Sequence, residues 1–471
     1  MCIGFSGMKQ VTVNQTQDKL SKNVILTIAV MTSFLTPFMG SSLNIALPSI
    51  GSEFSMDAVS MSWVVSIYLL SSAVFLLPIG RIADIYGRKR ILLLGIIAFT
   101  LFSFLLAVAT SSVWLIILRA LQGLGSAMIF VTGVAILTSA FPARERGRVL
   151  GINVASVYLG LSLGPFLGGI LTESLGWRSI FWVNVPLGLI VIFMILWKLK
   201  GEWAEAKGEK FDFTGFIIYG ASLICAMYGL STLPGLTGVL LLIAGFLLLL
   251  AFIWWEMKCR SPLLNLNLIR GNTAFVFSNI AALINFSATF AIAFLLSLYL
   301  QYTQGMSAQT AGLVLITQPV VMAIVSPLAG RLSDRAQPRV IASIGMALTA
   351  GGLLYFTFIG ADTSTGIVML GLVIVGLGLA LFSSPNTNAI MSAVESRYYG
   401  VASALMSTMR MIGNMLSMGI VTVLFAVLIG RVEITPDYYA PFLQSMQIAF
   451  AVFAALCFLG IFASLAGGRK A

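Results

Sequence analysis

The sequence predicts an all-α polytopic membrane protein of fourteen spans, built as two related six-helix halves with a pair of helices between them. Three observations carry this. Of 471 residues, 59% are hydrophobic and 9% charged, against about 25% charged in soluble domains, which excludes a water-soluble globule. Apolar runs of about 20 residues, long enough to cross the hydrocarbon core as self-satisfied helices, recur between charged punctuations. Finally, the polar, basic segment from Gly80 to Arg90, which reads as a tight loop wedged between two such runs, has a reduced copy in Gly330-Arg331-Leu332-Ser333-Asp334-Arg335.

In chain order the spans read 24–47, 58–80, 89–110, 113–137, 147–172, 178–198, 213–232, 237–257, 273–299, 309–330, 338–359, 367–392, 400–429 and 442–465. Residues 1–23 read as a tail without the apolar core of a cleaved signal peptide, 24–198 and 273–465 as the two bundles, 199–272 as connectors around two inserted spans, and 466–471 as a second tail. Of the 27 Lys and Arg, only Arg178 and Arg431 fall in the loops opposite the basic set, and only Arg119 and Arg410 lie inside spans. The positive-inside rule then puts both termini in the cytoplasm of a cell (inner) membrane. The net charge of +11 follows from that topology, so no nucleic-acid partner is implied. The connector Lys198 to Asp212 alternates acid and base and reads as a solvated helix or loop. Four cysteines lack metal spacing and histidine is absent, so no metal or cofactor is expected, and no nucleophile, base and metal set suggests an enzyme.

The duplication has further echoes at nearly one offset. Arg148-x-x-Gly151 corresponds to Arg397-x-x-Gly400, and Gly164-Pro165 falls on Gly413-Asn414. Transporters built from such repeats place their substrate site at the repeat interface near mid-membrane. Arg119, with Gln122 one turn on, and Arg410, with Asn414 one turn on, are intramembrane charges with polar neighbours on the same face, and such charges face a cavity or a partner. Arg119 is also shallow enough to snorkel, and a structural link between helices is the alternative for the deeper Arg410. Asn44, Tyr158, Asn285, Gln318, Asn386 and Asn388 are candidate cavity residues, with structural links between helices as the alternative. Gly160, Gly164 and Gly168 line one helix face for close packing, and Pro165 removes a helix hydrogen bond. All 16 acidic residues sit in loops, tails or span ends, with Glu53 and Asp57 in the first outer loop. The titratable carboxylates nearest the bilayer are therefore boundary ones, chiefly Asp84, Glu173 and Asp334.

These residues resemble the major facilitator superfamily and, within it, the fourteen-helix drug:proton antiporter family. Gly80 to Arg90 is similar to the signature between helices two and three, Arg119-Ala120-Leu121-Gln122-Gly123-Leu124-Gly125 to the helix-four motif, and Gly160-x-x-x-Gly164-Pro165-x-x-Gly168-Gly169 to the antiporter motif of helix five. Asn44-Ile45-Ala46-Leu47-Pro48, Trp177-Arg178-x-Ile180-Phe181-x-x-Asn184-Val185-Pro186-x-Gly188 and Tyr299-Leu300-Gln301 resemble markers of the fourteen-helix family. The resemblance implies a major facilitator fold and a latch of Gly80, Asp84, Gly87 and Arg88 tying the two bundles at the cytoplasmic face. Gly330, Arg331 and Asp334 would serve the second half in the same way, and Arg119 would gate a proton path. One departure stands out: the family's helix-one acid falls on Met39. The expectation is a monomeric exporter of amphipathic drugs or toxic compounds across the lipid bilayer, with proton antiport implied by the resemblance. An exporter of an anionic or neutral metabolite and a non-transporting membrane sensor remain the alternatives.

Overall fold

The computed structural model describes residues 5–199, 201–259, 261–264, 271–395 and 399–466, with side chains throughout these ranges except at 5–21, 143, 144, 146, 147, 334, 399 and 400. Arg397, the tail beyond Ala466 and the side chain of Asp334 thus lie outside the described residues. Among the described residues, 14 helical segments are long and apolar enough to cross a membrane.

In chain order the helices are α1 (Phe5–Phe54), α2 (Ala58–Tyr86), α3 (Arg88–Ala107), α4 (Ser112–Ala140), α5 (Ala143–Leu175), α6 (Arg178–Lys198), α7 (Phe213–Ser231) and α8 (Leu236–Glu256). The second half continues with α9 (Thr273–Thr289), α10 (Ala291–Leu298), α11 (Ala308–Leu315), α12 (Thr317–Arg335), α13 (Pro338–Phe356), α14 (Thr365–Ser392), α15 (Tyr399–Leu428) and α16 (Tyr439–Ala466). Two spans are interrupted. The ninth is α9 and α10 followed by a π-helical turn over Tyr299–Thr303. The tenth breaks at Ile316 between α11 and α12, where Pro319 cannot donate to the carbonyl of Leu315.

Helices α1 to α6 pack as one bundle and α9 to α16 as the other, while α7 and α8 pack on each other with α7 against both α2 and α15. Helix α8 is apolar all round and mostly exposed, the pattern of a span facing lipid. An apolar groove of about 740 Å³ runs along the contact of α7 with α2, beside α4, lined by Trp63, Ile67, Phe75, Phe216 and Tyr228 among others. The two halves repeat the same close approaches. Gly95 on α3 faces the Gly125 carbonyl on α4, as Gly345 on α13 faces that of Gly378 on α14. Gly80 meets Val131 of α4 as Gly330 meets Ser384 of α14.

Two expectations are corrected. Glu53 lies in the last turn of α1, not in a loop, and Asp57 caps α2 by accepting from the Ser60 amide at 2.8 Å. The connector after α6 is non-helical over its described residues and is not simply solvated: it packs along the junction of α2 and α3. Its acids face the arginines at the adjoining ends of α2 and α3, a complementarity between segments that charge alternation within one of them cannot reveal.

Candidate functional site

Three clusters account for the polar residues singled out above. The first lies at the end of the molecule that carries the junction of α2 and α3, called here the basic end; residues 80–90 are helical except at Gly87 rather than the tight loop expected, because one glycine with positive φ is enough to turn the chain. Arg88 is the hub. Its Nε donates to Asp84 at 2.8 Å, and its two terminal nitrogens hold Glu205 of the connector at 2.7 and 3.0 Å. It also reaches Ser139 and the carbonyl of Ala135 at the end of α4. Backbone bonds add a seam: the Arg88 amide donates to the Trp203 carbonyl at 2.8 Å, and the Ala206 amide to that of Asp84 at 2.9 Å. Glu202 accepts from the Lys89 amide at 2.8 Å and pairs with Arg90, while Glu209 pairs with Arg81. Gly87 has φ of 116°, and a Cβ there would strike the Glu202 carboxylate, so only glycine fits. The pairs of Asp84 and Arg88 therefore stay on the first bundle and its connector. Arg331 is exposed.

The second cluster surrounds Arg119, which is 1% exposed. A buried guanidinium needs acceptors for its rigid fork of donors. Here Nε donates to the Val64 carbonyl at 3.2 Å, a terminal nitrogen donates to Gln122, and the charge lies 4.1 Å from the Tyr68 ring centroid. Gln122 passes the chain on to Ser103 at 2.8 Å, and the Tyr68 hydroxyl donates to Ser126 at 2.6 Å. Arg119 thus points inward among α2, α3 and α4 rather than snorkelling. Met39 is fully buried, with the Asn184 amide donating to its sulfur at 3.2 Å, so position 39 faces α6.

The third cluster is the seam between bundles. At the end opposite the basic one, here the far end, Pro48 leaves the Asn44 carbonyl without its helical donor, and the Ser297 hydroxyl supplies one at 2.7 Å. Gln301, in the π-helical turn, donates to the Ile45 carbonyl at 3.0 Å. Ser62 and Thr422 bond at 2.9 Å, the Ala58 amide donates to the Val432 carbonyl at 3.1 Å, and the Ala308 amide at the start of α11 donates to Glu173 at 3.1 Å. Among the described residues, every hydrogen bond between the bundles lies in this far half. The helix-five motif supports the same seam. Gly160, Gly164 and Gly168 press on α1, and a Cβ on Gly164 would lie 1.8 Å from the Ser41 hydroxyl. Gly169 packs instead on Ala308, and Pro165 on Gly312, across the interface. Trp177 and Arg178 clamp Glu53 at 2.6 to 2.7 Å, within the first bundle.

Deeper toward the basic end the seam has no such bonds among the described residues. Arg410 lies there, half-buried, about 16 Å along α15 from its start, with its guanidinium 5.0 Å from the Phe130 centroid on α4 and 5.7 Å from that of Phe286 on α9. Tyr158 of α5 is within electrostatic reach. Asn414, one turn on, is 9% exposed with its Oδ1 unpartnered, and Asn285 is fully buried with neither amide atom partnered. Asn44 is 6% exposed and also has an unpartnered Oδ1; Asn386 is 4% exposed, and Tyr158 and Gln318 are half-buried. Asn388 donates to Ser333 at 3.1 Å, linking α14 to α12. The sequence reading missed Glu202, Glu205, Glu209, Ser297, Phe130 and Phe286. Only Ser297 had a signal, since Pro48 requires some donor for the Asn44 carbonyl.

A model of the Major Facilitator Superfamily matches residues 29–418 and 278–470. The chain belongs to the major facilitator superfamily. Riboflavin transporter RibZ of Clostridioides difficile is 29% identical over 449 residues, covering 95% of this chain and 98% of that protein. Multidrug resistance protein Stp of Mycobacterium tuberculosis is 34% identical over 378 residues, 79% of this chain and 70% of that one. A solved structure described under substrate recognition in proton dependent oligopeptide transporters superposes with a TM-score of 0.65 at 15% identity, covering 96% of this chain and 97% of that one, a likeness of fold. As a major facilitator protein the chain is a secondary transporter of small molecules across a lipid bilayer, not an enzyme.

Proposed function

We propose that this transporter exports amphipathic small molecules by rocking its two bundles, residues 24–198 and 273–465, about the seam between them. The observation that carries the reading is the asymmetry of that seam: among the described residues its hydrogen bonds lie at the far end, and none lies toward the basic end. A carrier needs two such states in alternation. With the basic end cytoplasmic by the positive-inside rule, this arrangement is the one that loads from the cell interior. The similarity to a multidrug resistance protein and the helix-five glycine motif support export. In the reverse state Asp84 and Arg88, with Gly330, Arg331 and Asp334, would latch the basic end. Proton antiport would fall to boundary carboxylates, among which Glu173 is placed to matter, because its charge holds the start of α11 and protonation would weaken that hold. The protein works as a monomer in this reading.

The test is counterflow in proteoliposomes with lipophilic cations, neutral compounds and organic anions, with a pH dye inside. Solute movement coupled to proton movement, lost in Arg119→Ala, is the expected result. No flux of any compound would replace this reading with that of a non-transporting sensor.

A further inference from the structure

The two intramembrane arginines are treated differently by the fold. Arg119 is sealed in and its donors find a carbonyl, an amide oxygen and a ring face. Arg410 is half-buried and rests against two ring faces, and among the described residues it has neither a carboxylate partner nor a hydrogen-bond acceptor. A ring face attracts a guanidinium by its quadrupole but accepts no N–H in the guanidinium plane. The in-plane donors of Arg410 are therefore free, and their geometry matches a carboxylate, sulfonate or phosphate held by paired hydrogen bonds.

The surroundings say what the rest of the ligand looks like. Phe130 and Tyr158 come from the first bundle and Phe286 from the second, so an aromatic body anchored at Arg410 would touch both. We infer that Arg410 is the anion-recognising residue of the substrate site and that the transported compounds carry an anionic group on an aromatic frame. The inference rests on the export reading for its role in transport, but not for binding itself.

It also supplies a reason for obligatory loading. While the basic end is unsealed, water can satisfy the free donors of Arg410. Rocking to the opposite state would dry the site, and a buried, unpaired charge opposes that step. A bound anion removes the obstacle, so the loaded carrier crosses and the empty one is held back.

The experiment compares two dyes that share a xanthene frame: carboxyfluorescein, an anion, and a rhodamine methyl ester, a cation. Binding to the purified full-length protein in nanodiscs is followed by fluorescence anisotropy, and flux is followed in proteoliposomes. Arg410→Gln should weaken carboxyfluorescein binding by about ten-fold or more, the size of a lost charge-assisted hydrogen bond, and leave the rhodamine ester nearly unchanged. Arg410→Lys should recover part of the loss. Phe130→Leu should weaken both dyes alike. Unchanged carboxyfluorescein affinity in Arg410→Gln, equal loss of both dyes in that variant, or no binding of carboxyfluorescein to the wild type would each overturn the anion site. Arg410-dependent binding without flux would instead overturn the export reading and leave the site standing. Flux of the cation, with neither binding nor flux of carboxyfluorescein, would do the reverse.

Discussion

Replacing Glu205 by alanine probes the strap that residues 201–212 form over the junction of α2 and α3. Glu205 is 63% exposed at its side chain and Arg88 10%, so solvent screens the pair, which contributes about 0.5–1 kcal/mol despite its bidentate geometry. Arg88 retains Asp84 and Ser139 after the change, and Glu202 and Glu209 still hold the strap on either side. The open population of the strap should therefore rise about two- to five-fold. Arg88→Ala is the harsher change. It leaves Asp84, Ser139 and Glu205 without their shared donor, at a cost of about 2–3 kcal/mol, and should open the strap about thirty-fold or more. Limited trypsin digestion reads this directly, because Lys207 and Lys210 are exposed on the strap and cleavage tracks the open population when opening is fast. Cleavage should also quicken with salt. Equal rates for wild type, Glu205→Ala and Arg88→Ala would refute the reasoning, and so would equal effects of the two variants.

Three further outcomes follow from the seam and the first bundle. Ser297→Ala strips the donor from the Asn44 carbonyl freed by Pro48 and should cost about 1–3 kcal/mol of far-end closure, read as faster labelling of a far-end cysteine probe; unchanged labelling would mean the bond does not hold the seam. Gly164→Val forces a side chain into the Ser41 hydroxyl and should lower thermal stability in detergent by about 1–3 kcal/mol, whereas a wild-type unfolding temperature would show that α1 and α5 part easily. Met39→Asp places an acid at a fully buried position where only the Asn184 amide is at hand, so the variant should be less stable by about 1–3 kcal/mol, and full stability with new cation flux would show that position 39 opens to the substrate path.

What the sequence could show about this molecule follows the range of the interactions. Span number, the duplicated loop and the glycine stripe of α5 are local or periodic patterns, because bilayer thickness and backbone self-satisfaction dictate them residue by residue. The break in the tenth span was in principle visible at Pro319, whereas the interruption at Phe290 has neither glycine nor proline to mark it. The strap is the opposite case. Its acids read as solvated because each is surrounded by lysines in its own segment, and only the return of the chain beneath α2 shows that Arg81, Arg88 and Arg90 are their partners.

The same distinction separates the two intramembrane arginines. In the sequence, Arg119 with Gln122 and Arg410 with Asn414 differ only in depth: each is a charge within a span with an amide one turn away. Packing makes them different, because Arg119 meets a carbonyl of another helix and a tyrosine face, while Arg410 meets two phenylalanines that can attract its charge but cannot accept its hydrogen bonds. An intramembrane charge that the fold has satisfied stabilises a bundle. One that it has left unsatisfied, at a seam that must open and close, is where a transported anion has the most to contribute.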